Sequence, residues 1–284
     1  LLLTLFTLSA LAAALRHQAG EKRFLLISAF LAGCGMATKA TGLFPAAGIA
    51  LLLLYRERRD PANALRTLFL WGSVAALPLL PWLIKNQIYR QNPFYPFLTS
   101  FFGVPSNAVA DKLNGFINDT RQMGELGLRE WATHPWTITM GTSGSAWNFT
   151  PLFLLTLPLL FLLGPAPAAT VSFWIYFLTI WPLWSLNSRM VRFLLPAYPA
   201  AALLIAIALE TDGHRVLKKA LRITVLCTCA LGLYFAGVRF YIGGDWRVVC
   251  GSISKAEYLS ATRDTFPLSY YTAAEYINRS LPPD

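Results

Sequence analysis

The stretch Cys34-Gly-Met-Ala-Thr-Lys-Ala-Thr-Gly-Leu-Phe-Pro45 interrupts an apolar run from Phe24 to Tyr55 in which Lys39 is the only charged residue. A single helix over this run would be about 48 Å long at 1.5 Å per residue, longer than the ~30 Å hydrocarbon core of a bilayer. We therefore predict two shorter helices, with a break near Thr41-Gly42 and with Pro45 in the first turn of the second helix. Lys39 then lies at the turn of a helical hairpin rather than at mid-membrane.

The composition of the whole chain agrees with a membrane protein. Of its 284 residues 55% are hydrophobic and 13% are charged, about half the charged share of soluble domains. The net charge of +10 comes from basic residues in short loops between apolar runs, which is typical of cytoplasmic loops and not of a nucleic-acid-binding surface. The four cysteines form neither a disulfide framework nor a zinc pattern. These features predict an all-α, polytopic transmembrane helical bundle.

Eight apolar segments are predicted to be membrane segments. They are Leu1–Leu15, Phe24–Thr38, Gly42–Tyr55, Leu65–Ile84, Phe149–Leu163, Thr170–Leu186, Phe193–Leu209 and Ile223–Tyr241.

The loop charges predict which side of the membrane each connection faces. Arg16–Arg23, Arg56–Arg66 and Glu210–Arg222 are basic and are placed in the cytoplasm. The alternation then puts a long loop, residues 85–148, on the outer side. Residues 1–241 are accordingly predicted to form the transmembrane domain, and residues 242–284 an extracytoplasmic C-terminal region. Because Leu1 already lies inside an apolar segment, we interpret the chain as a fragment of a longer protein with a truncated C-terminal region.

Cations collect on the predicted outer side, where the positive-inside rule expects few. They are Lys39, Lys85, Arg90, Arg189, Arg192 and Arg239. Lys and Arg at helix ends often only anchor a span, but the group as a whole favours a bound anion such as a lipid phosphate.

The long outer loop contains an aromatic, proline-broken segment, Gln91-Asn-Pro-Phe-Tyr-Pro-Phe97, which is typical of an interfacial or re-entrant element. His134 in the same loop is a candidate polar contact. Its acidic residues, Asp119 among them, show no spacing for a metal or a paired acid and base. No P-loop, HExxH or GxSxG motif occurs in the sequence.

Four segments together resemble GT-C-type integral membrane glycosyltransferases, which include polyprenyl- and dolichyl-phosphate-sugar mannosyltransferases and aminoarabinose-transferase relatives. Gly35-Met-Ala-Thr-Lys-Ala-Thr-Gly42 is similar to their Thr-Lys-x-Thr-Gly segment. Pro81-Trp-Leu-Ile-Lys-Asn86, followed by the Gln91–Phe97 segment, is similar to their Pro-Trp-x-x-Arg-Asn element and the Asn-Pro-x-Tyr-Pro-Phe run after it. Arg192-Phe-Leu-Leu-Pro-Ala-Tyr-Pro199 and Ala274–Asp284 complete the resemblance.

The resemblance implies transfer of a sugar from a polyprenyl-phosphate carrier at the outer face of the cytoplasmic (inner) membrane. Arg192, Lys39, Lys85 and Arg189 would bind the donor phosphate, and Asn92, Tyr95 and His134 would shape the loop over the substrate. The catalytic base, an acidic residue in the first external loop of the family, is expected N-terminal to this fragment. No metal is required, and the lipid-linked sugar is the co-substrate.

Two other functions compete with this interpretation. One is an O-antigen polymerase or ligase, which would use a lipid-diphosphate donor. The other is a transporter or flippase of lipid-linked sugars, which would be expected to show repeated halves and polar groups at mid-membrane. The expected partners are the bilayer, the lipid-linked donor and a lipid, glycan or protein acceptor, with no nucleic acid.

Overall fold

The computed structural model describes residues 1–102, 168–187, 191–210, 214–261 and 271–280, together with residues 129, 132, 133, 136, 155–157 and 160. The regular structure of this described part is helical, without a strand, which confirms the all-α prediction there. The main helices are α1 Leu2–Gln18, α2 Phe24–Thr38, α3 Leu43–Arg56, α4 Pro61–Ala76, α5 Leu80–Arg90, α6 Thr99–Phe102, α7 Ala168–Asn187, α8 Tyr198–Glu210, α9 Arg215–Ile242, α10 Asp245–Val249, α11 Lys255–Ser260 and α12 Tyr271–Ser280.

Three helical segments of the described part are long and apolar enough to cross a membrane. They are Pro61–Arg90, Phe193–Glu210 and Arg215–Ile242, with mean hydropathies of 1.7, 1.9 and 1.8. Shorter apolar helices cover Phe24–Thr38, Ala40–Arg56 and Thr170–Leu186. Most of the predicted segment Phe149–Leu163 lies outside the described residues. The count of eight spans and the side that each loop faces stay predictions.

The segment Pro61–Arg90 extends beyond its predicted limits at both ends. At its start the Asp60 side chain accepts a hydrogen bond from the Asn63 N–H at 3.1 Å, which caps α4 with Pro61 in the first turn. A 3-10 turn at Leu77–Leu79 then joins α4 to α5, which runs to Arg90. The first residues of the predicted loop 85–148 are therefore helical. The charge of Lys85 lowers the local hydropathy, but the backbone hydrogen bonds of the helix continue past it.

The hairpin break predicted from the opening stretch is confirmed. Helix α2 ends at Thr38, Lys39 is extended (φ −161°, ψ 139°), and a 3-10 turn at Ala40–Gly42 leads into α3. Pro45 lies in the first turn of α3. The Lys39 N–H donates to the Gly35 carbonyl at 3.3 Å, and the Lys39 carbonyl accepts from the Gly42 N–H at 2.8 Å.

Small residues let the helices of the first compact unit, Leu1–Val225, approach closely. A Cβ atom on Gly33 of α2 would lie 2.3 Å from the Ala75 carbonyl oxygen of α4, and one on Gly48 of α3 would lie 3.1 Å from the Tyr176 ring of α7. Such contacts are typical of membrane helices. Lipid is as apolar as the helix surfaces, so the hydrophobic effect contributes little to helix association and close packing drives it instead. The buried core of this unit includes Ala14, Ala29, Leu52, Ile180, Trp184 and Leu194.

Cross-helix contacts define the directions of the helices. Trp71 Nε1 of α4 donates to Ser28 Oγ of α2 at 3.2 Å, and Gly33 faces Ala75 further along, so α2 and α4 run parallel. Gln18 Nε2 donates to the Leu52 carbonyl at 3.4 Å, so the C-terminal ends of α1 and α3 meet.

Helix α7 runs antiparallel to α3. Ser172 near its start donates to Gln18 Oε1 at 3.3 Å, on the side chain that also contacts Leu52, whereas Tyr176 lies beside Gly48. The C-terminal end of α7 therefore points toward the start of α3 and the Lys39 turn. We call that end of the bundle the Lys39 end, and the opposite end, which carries Arg16–Arg23 and Arg56, the basic end.

At the basic end a polar contact joins two of the loops predicted to be cytoplasmic. Arg56 Nη1 donates to the His17 carbonyl at 2.7 Å, and Arg56 Nε lies 3.3 Å from Glu57 Oε1. Burial, and after it the positive charge of Arg56, lower the pKa of His17 below its ordinary value. Both loops thus lie at the same end of the bundle, as the hairpin prediction requires.

The second compact unit, Leu226–Asp284, contains the C-terminal half of α9 and the short helices α10 to α12. Tyr241 and Trp246 stack with their ring centroids 5.8 Å apart. Ser254 Oγ accepts from the Glu257 N–H at 3.1 Å and caps α11. The prediction that the transmembrane domain ends at Tyr241 concerns the membrane boundary, and it stays a prediction.

Candidate functional site

Lys39 contacts the segment that follows α7. Its Nζ atom lies 3.4 Å from the centroid of the Phe193 ring, within the range of a cation–π interaction. The side chain is exposed, and the Lys39 backbone is extended directly after α2. Two of the four resemblance segments, which are far apart in sequence, therefore meet at the Lys39 end.

The backbone of Arg192 directly precedes this contact. It belongs to the 3-10 segment Val191–Ala197, which Leu194 and Ala197 anchor in the core because both are fully buried. The side chain of Arg192, and the whole of Arg189, lie outside the described residues. The structure thus places position 192 next to the Lys39 turn without describing where its guanidinium points.

Lys85 lies on α5 with its Nζ atom 4.7 Å from the centroid of the Trp82 ring. A Cβ on Gly33 would also touch the Pro78 ring, at 2.8 Å, which sets the register of the parallel helices α2 and α4–α5. Lys39 follows Gly33, and Lys85 follows Pro78, by similar lengths of chain, roughly 9 Å and 10.5 Å at helical rise. Both lysines therefore lie on the Lys39 side of the Gly33–Pro78 contact.

Two buried asparagines organise the loop after α5. Asn92 Nδ2 donates to the Phe97 carbonyl at 2.8 Å, and its Oδ1 accepts from the Phe94 N–H at 2.9 Å. Asn86 Nδ2 donates to the carbonyls of Pro93 and Tyr95 at 3.3 and 3.2 Å. The amide groups satisfy loop backbone that has no partner within a helix. Asn92 thus holds the loop together, while its role over a substrate stays a prediction.

Tyr95 lies in the middle of this loop, and its peptide bond to Pro96 is cis. The Arg90 guanidinium carbon is 5.4 Å from the centroid of the Tyr95 ring. Gln91, which links α5 to the loop, adopts a left-handed conformation with φ 52°. Tyr95 therefore takes part in the loop structure, while its contact with a substrate stays a prediction.

An aromatic surface continues from this loop into α6. Phe94 and Phe102 have ring centroids 6.2 Å apart, and Phe101 and Phe102 form an edge-to-face pair at 5.1 Å. All three rings are exposed. Exposed aromatic rings are typical of an interfacial segment, and the interfacial position of this segment stays a prediction.

Two further residues singled out from the sequence lie outside the described residues. His134 and Asp119 lie there, so no contact of either is described. Within the described part, no group of three His, Cys, Asp or Glu side chains is placed to hold a metal ion.

Two residues of the site were not among those predicted from sequence. Asn86 holds the loop from α5, and Phe193 supplies the ring for Lys39. Each is the neighbour of a predicted cation, Lys85 or Arg192, and lies within a resemblance segment. These neighbours in the sequence were the indication that could have identified Asn86 and Phe193 as site residues.

Neither a protein-family model, nor a curated protein, nor a solved structure matches this chain.

Proposed function

We propose that this chain belongs to a membrane glycosyltransferase that moves a sugar from a polyprenyl-phosphate carrier to an acceptor at the outer face of the cytoplasmic membrane. The contact between Lys39 and Phe193 carries the proposal. It joins the Thr-Lys-x-Thr-Gly turn to the segment that starts at Arg192, and both are segments on which the resemblance to GT-C-type enzymes rests. The proposal includes the eight-segment topology, with the Lys39 end facing the periplasm or exterior.

The transfer breaks the bond between the anomeric carbon and the carrier phosphate oxygen, and it forms a bond from the same carbon to an acceptor oxygen. The acceptor is a hydroxyl or phosphate of a lipid, glycan or protein. A carboxylate of the enzyme, as the resemblance implies, takes or orients the acceptor proton. The electron pair of the broken bond stays on the phosphate, whose growing negative charge is stabilised by fixed cations.

The residues of the Lys39 end have complementary roles in this chemistry. Arg192 offers a planar guanidinium that can bind two phosphate oxygens at once, whereas Lys39 and Lys85 act as point charges. Arg189 adds charge next to Arg192. The loop held by Asn86 and Asn92 lies beyond Lys85 and would cover the sugar.

The experiment uses the full-length protein in membranes with a polyprenyl-monophosphate sugar, and it measures product and released carrier phosphate. Removing one preorganised charge donor costs roughly 10²–10³-fold in rate, so Lys39→Ala and Arg192→Ala should each lose transfer by about that factor while still inserting into the membrane. Lys22→Ala, an exposed lysine at the basic end, is the matched control and should retain transfer.

Wild-type rates in both Lys39→Ala and Arg192→Ala would contradict the phosphate assignment. Turnover only with a lipid-diphosphate donor would favour the polymerase or ligase. Movement of the lipid-linked sugar across the bilayer without release of carrier phosphate would favour the transporter.

A further inference from the structure

Two arginines at the basic end contact the same aromatic ring. The guanidinium carbon of Arg16, in the last turn of α1, lies 5.0 Å from the centroid of the Phe24 ring, and that of Arg23 lies 5.3 Å from it. Phe24 is the first residue of α2. The two guanidiniums are thus held within about 10 Å of each other, close to the Debye length in 0.1 M salt.

The charge of this turn is poorly balanced by the protein itself. Lys22 adds a third exposed cation, and Glu21 is the acid of the turn. Glu21 lies 3.7 Å from Arg23, with side chains that are 42% and 80% exposed, so the pair is screened by water and weak. Within the described part of the chain, no carboxylate forms an ion pair with Arg16. An anion placed between the two guanidiniums would relieve their mutual repulsion.

An apolar face runs from this charged turn along α2. Arg23, Leu26, Ile27 and Phe30 follow one another at helical spacing on a single face. The three apolar side chains are exposed, although other parts of the same helix pack closely on α1 and α4. Within a bilayer, this face would contact acyl chains directly beneath the two arginines.

We propose that Arg16, Arg23 and the exposed face of α2 form a binding site for an anionic phospholipid of the surrounding leaflet. The lipid phosphate accepts hydrogen bonds from both guanidiniums, each of which can donate two in parallel. One acyl chain lies along Leu26, Ile27 and Phe30. The Phe24 ring fixes the directions of both arginines before the lipid arrives, which reduces the entropy lost on binding.

An anionic headgroup fits this site better than a zwitterionic one. Basic pockets between membrane helices at the cytoplasmic surface select anionic headgroups, and a choline group would bring a further cation to a turn that already carries three. The lipid site depends on the membrane location proposed above. It is independent of sugar transfer, because it lies at the end of the bundle opposite Lys39.

The site can be tested with the full chain in nanodiscs of phosphatidylcholine that contain increasing fractions of phosphatidylglycerol. Native mass spectrometry of the released protein counts the retained phosphatidylglycerol. Each arginine near an anionic lipid surface strengthens binding about fivefold, so the double variant Arg16→Gln, Arg23→Gln should bind about 30-fold more weakly.

The matched control removes the same charge from the neighbouring loop. Arg58 and Arg59 follow α3, are exposed and lie outside the proposed site. The Arg58→Gln, Arg59→Gln variant should therefore lose clearly less phosphatidylglycerol binding than Arg16→Gln, Arg23→Gln, because salt screens charges that do not touch the phosphate. An equal loss in both double variants would show general electrostatic attraction and overturn the site, as would retention of phosphatidylcholine as strongly as phosphatidylglycerol.

A charge-preserving variant covers the case in which the glutamine variant fails to fold. Arg16→Lys, Arg23→Lys keeps both charges but loses the planar donors, and we expect several-fold weaker phosphatidylglycerol binding from it. Binding equal to wild type would overturn the proposed geometry. In the wild-type protein, phosphatidylglycerol retention without sugar transfer would contradict only the proposed function, and sugar transfer without phosphatidylglycerol retention would contradict only the lipid site.

Discussion

The hairpin at Lys39 should tolerate almost no added volume at Gly42. A Cβ atom there would lie 2.6 Å from the Gly35 carbonyl oxygen, 2.7 Å from the Gly35 carbonyl carbon and 2.8 Å from the Met36 nitrogen. All three atoms are backbone, so no side chain can rotate away to make room. Gly42 has φ −62°, a conformation that alanine adopts readily, and the effect of Gly42→Ala is therefore purely steric.

The expected cost follows from that contact. Forcing a methyl group into a packed site destabilises a protein by about 1–3 kcal/mol. The Gly35 carbonyl also accepts the Lys39 N–H that ends α2, so a shift at this point disturbs the turn that carries Lys39. At about 2–4 °C per kcal/mol, the melting temperature in detergent should fall by roughly 3–10 °C, measured by intrinsic tryptophan fluorescence.

Gly72→Ala is the matched control. Gly72 lies inside α4, and a Cβ there would meet no atom within 4 Å. Alanine is favoured over glycine in a helix by about 0.5–1 kcal/mol, so this variant should melt at the wild-type temperature or slightly above it. Equal melting temperatures for Gly42→Ala and Gly72→Ala would refute the tight contact between the turn and α2.

Two further predictions concern the loop after α5 and the basic end. Asn92→Ala removes the two hydrogen bonds that the Asn92 amide makes within the loop, at about 1 kcal/mol each. Limited proteolysis within residues 91–97 should therefore be at least about fivefold faster, whereas Gln87→Ala, a change at an exposed residue of α5, should leave the cleavage rate unchanged. The folded chain holds the pKa of His17 below 6.5, so the unfolded chain takes up the proton first as pH falls below that value. Wild-type stability should therefore decline from pH 6.5 downward in thermal melts, and a decline of the same size in His17→Gln would contradict this assignment.

The break in the first apolar run could be predicted because it depends on local quantities. Helix length is set by the rise per residue, and the hydrocarbon thickness limits it. Lys39, Gly42 and Pro45 then mark where one helix ends and the next begins. The helix in Pro61–Arg90 continues past Ile84, the predicted limit of the membrane segment, for a related reason. Hydropathy detects Lys85 but not the backbone hydrogen bonds that continue past it.

The loop after α5 shows a different limit. Its aromatic and proline content predicts an irregular interfacial segment, and Asn92 was assigned to its shape. Which carbonyls the amides of Asn86 and Asn92 bind depends on the path of the folded backbone, including the left-handed turn at Gln91. Several paths are compatible with the same composition, so sequence reasoning could identify the residue types but not the pairs.

The amino-acid sequence by itself determined the helical class, the hairpin break and the clustering of cations into two sets, because these follow from apolar length and from where charge is tolerated near lipid. Only the tertiary structure decided which segments meet. Phe193 reaches Lys39 because α7 runs antiparallel to α3, and Arg16 and Arg23 share the Phe24 ring because α1 and α2 fold back on each other. Such pairings arise from the packing of small residues across distant helices, and hydropathy carries no information about which helices those are.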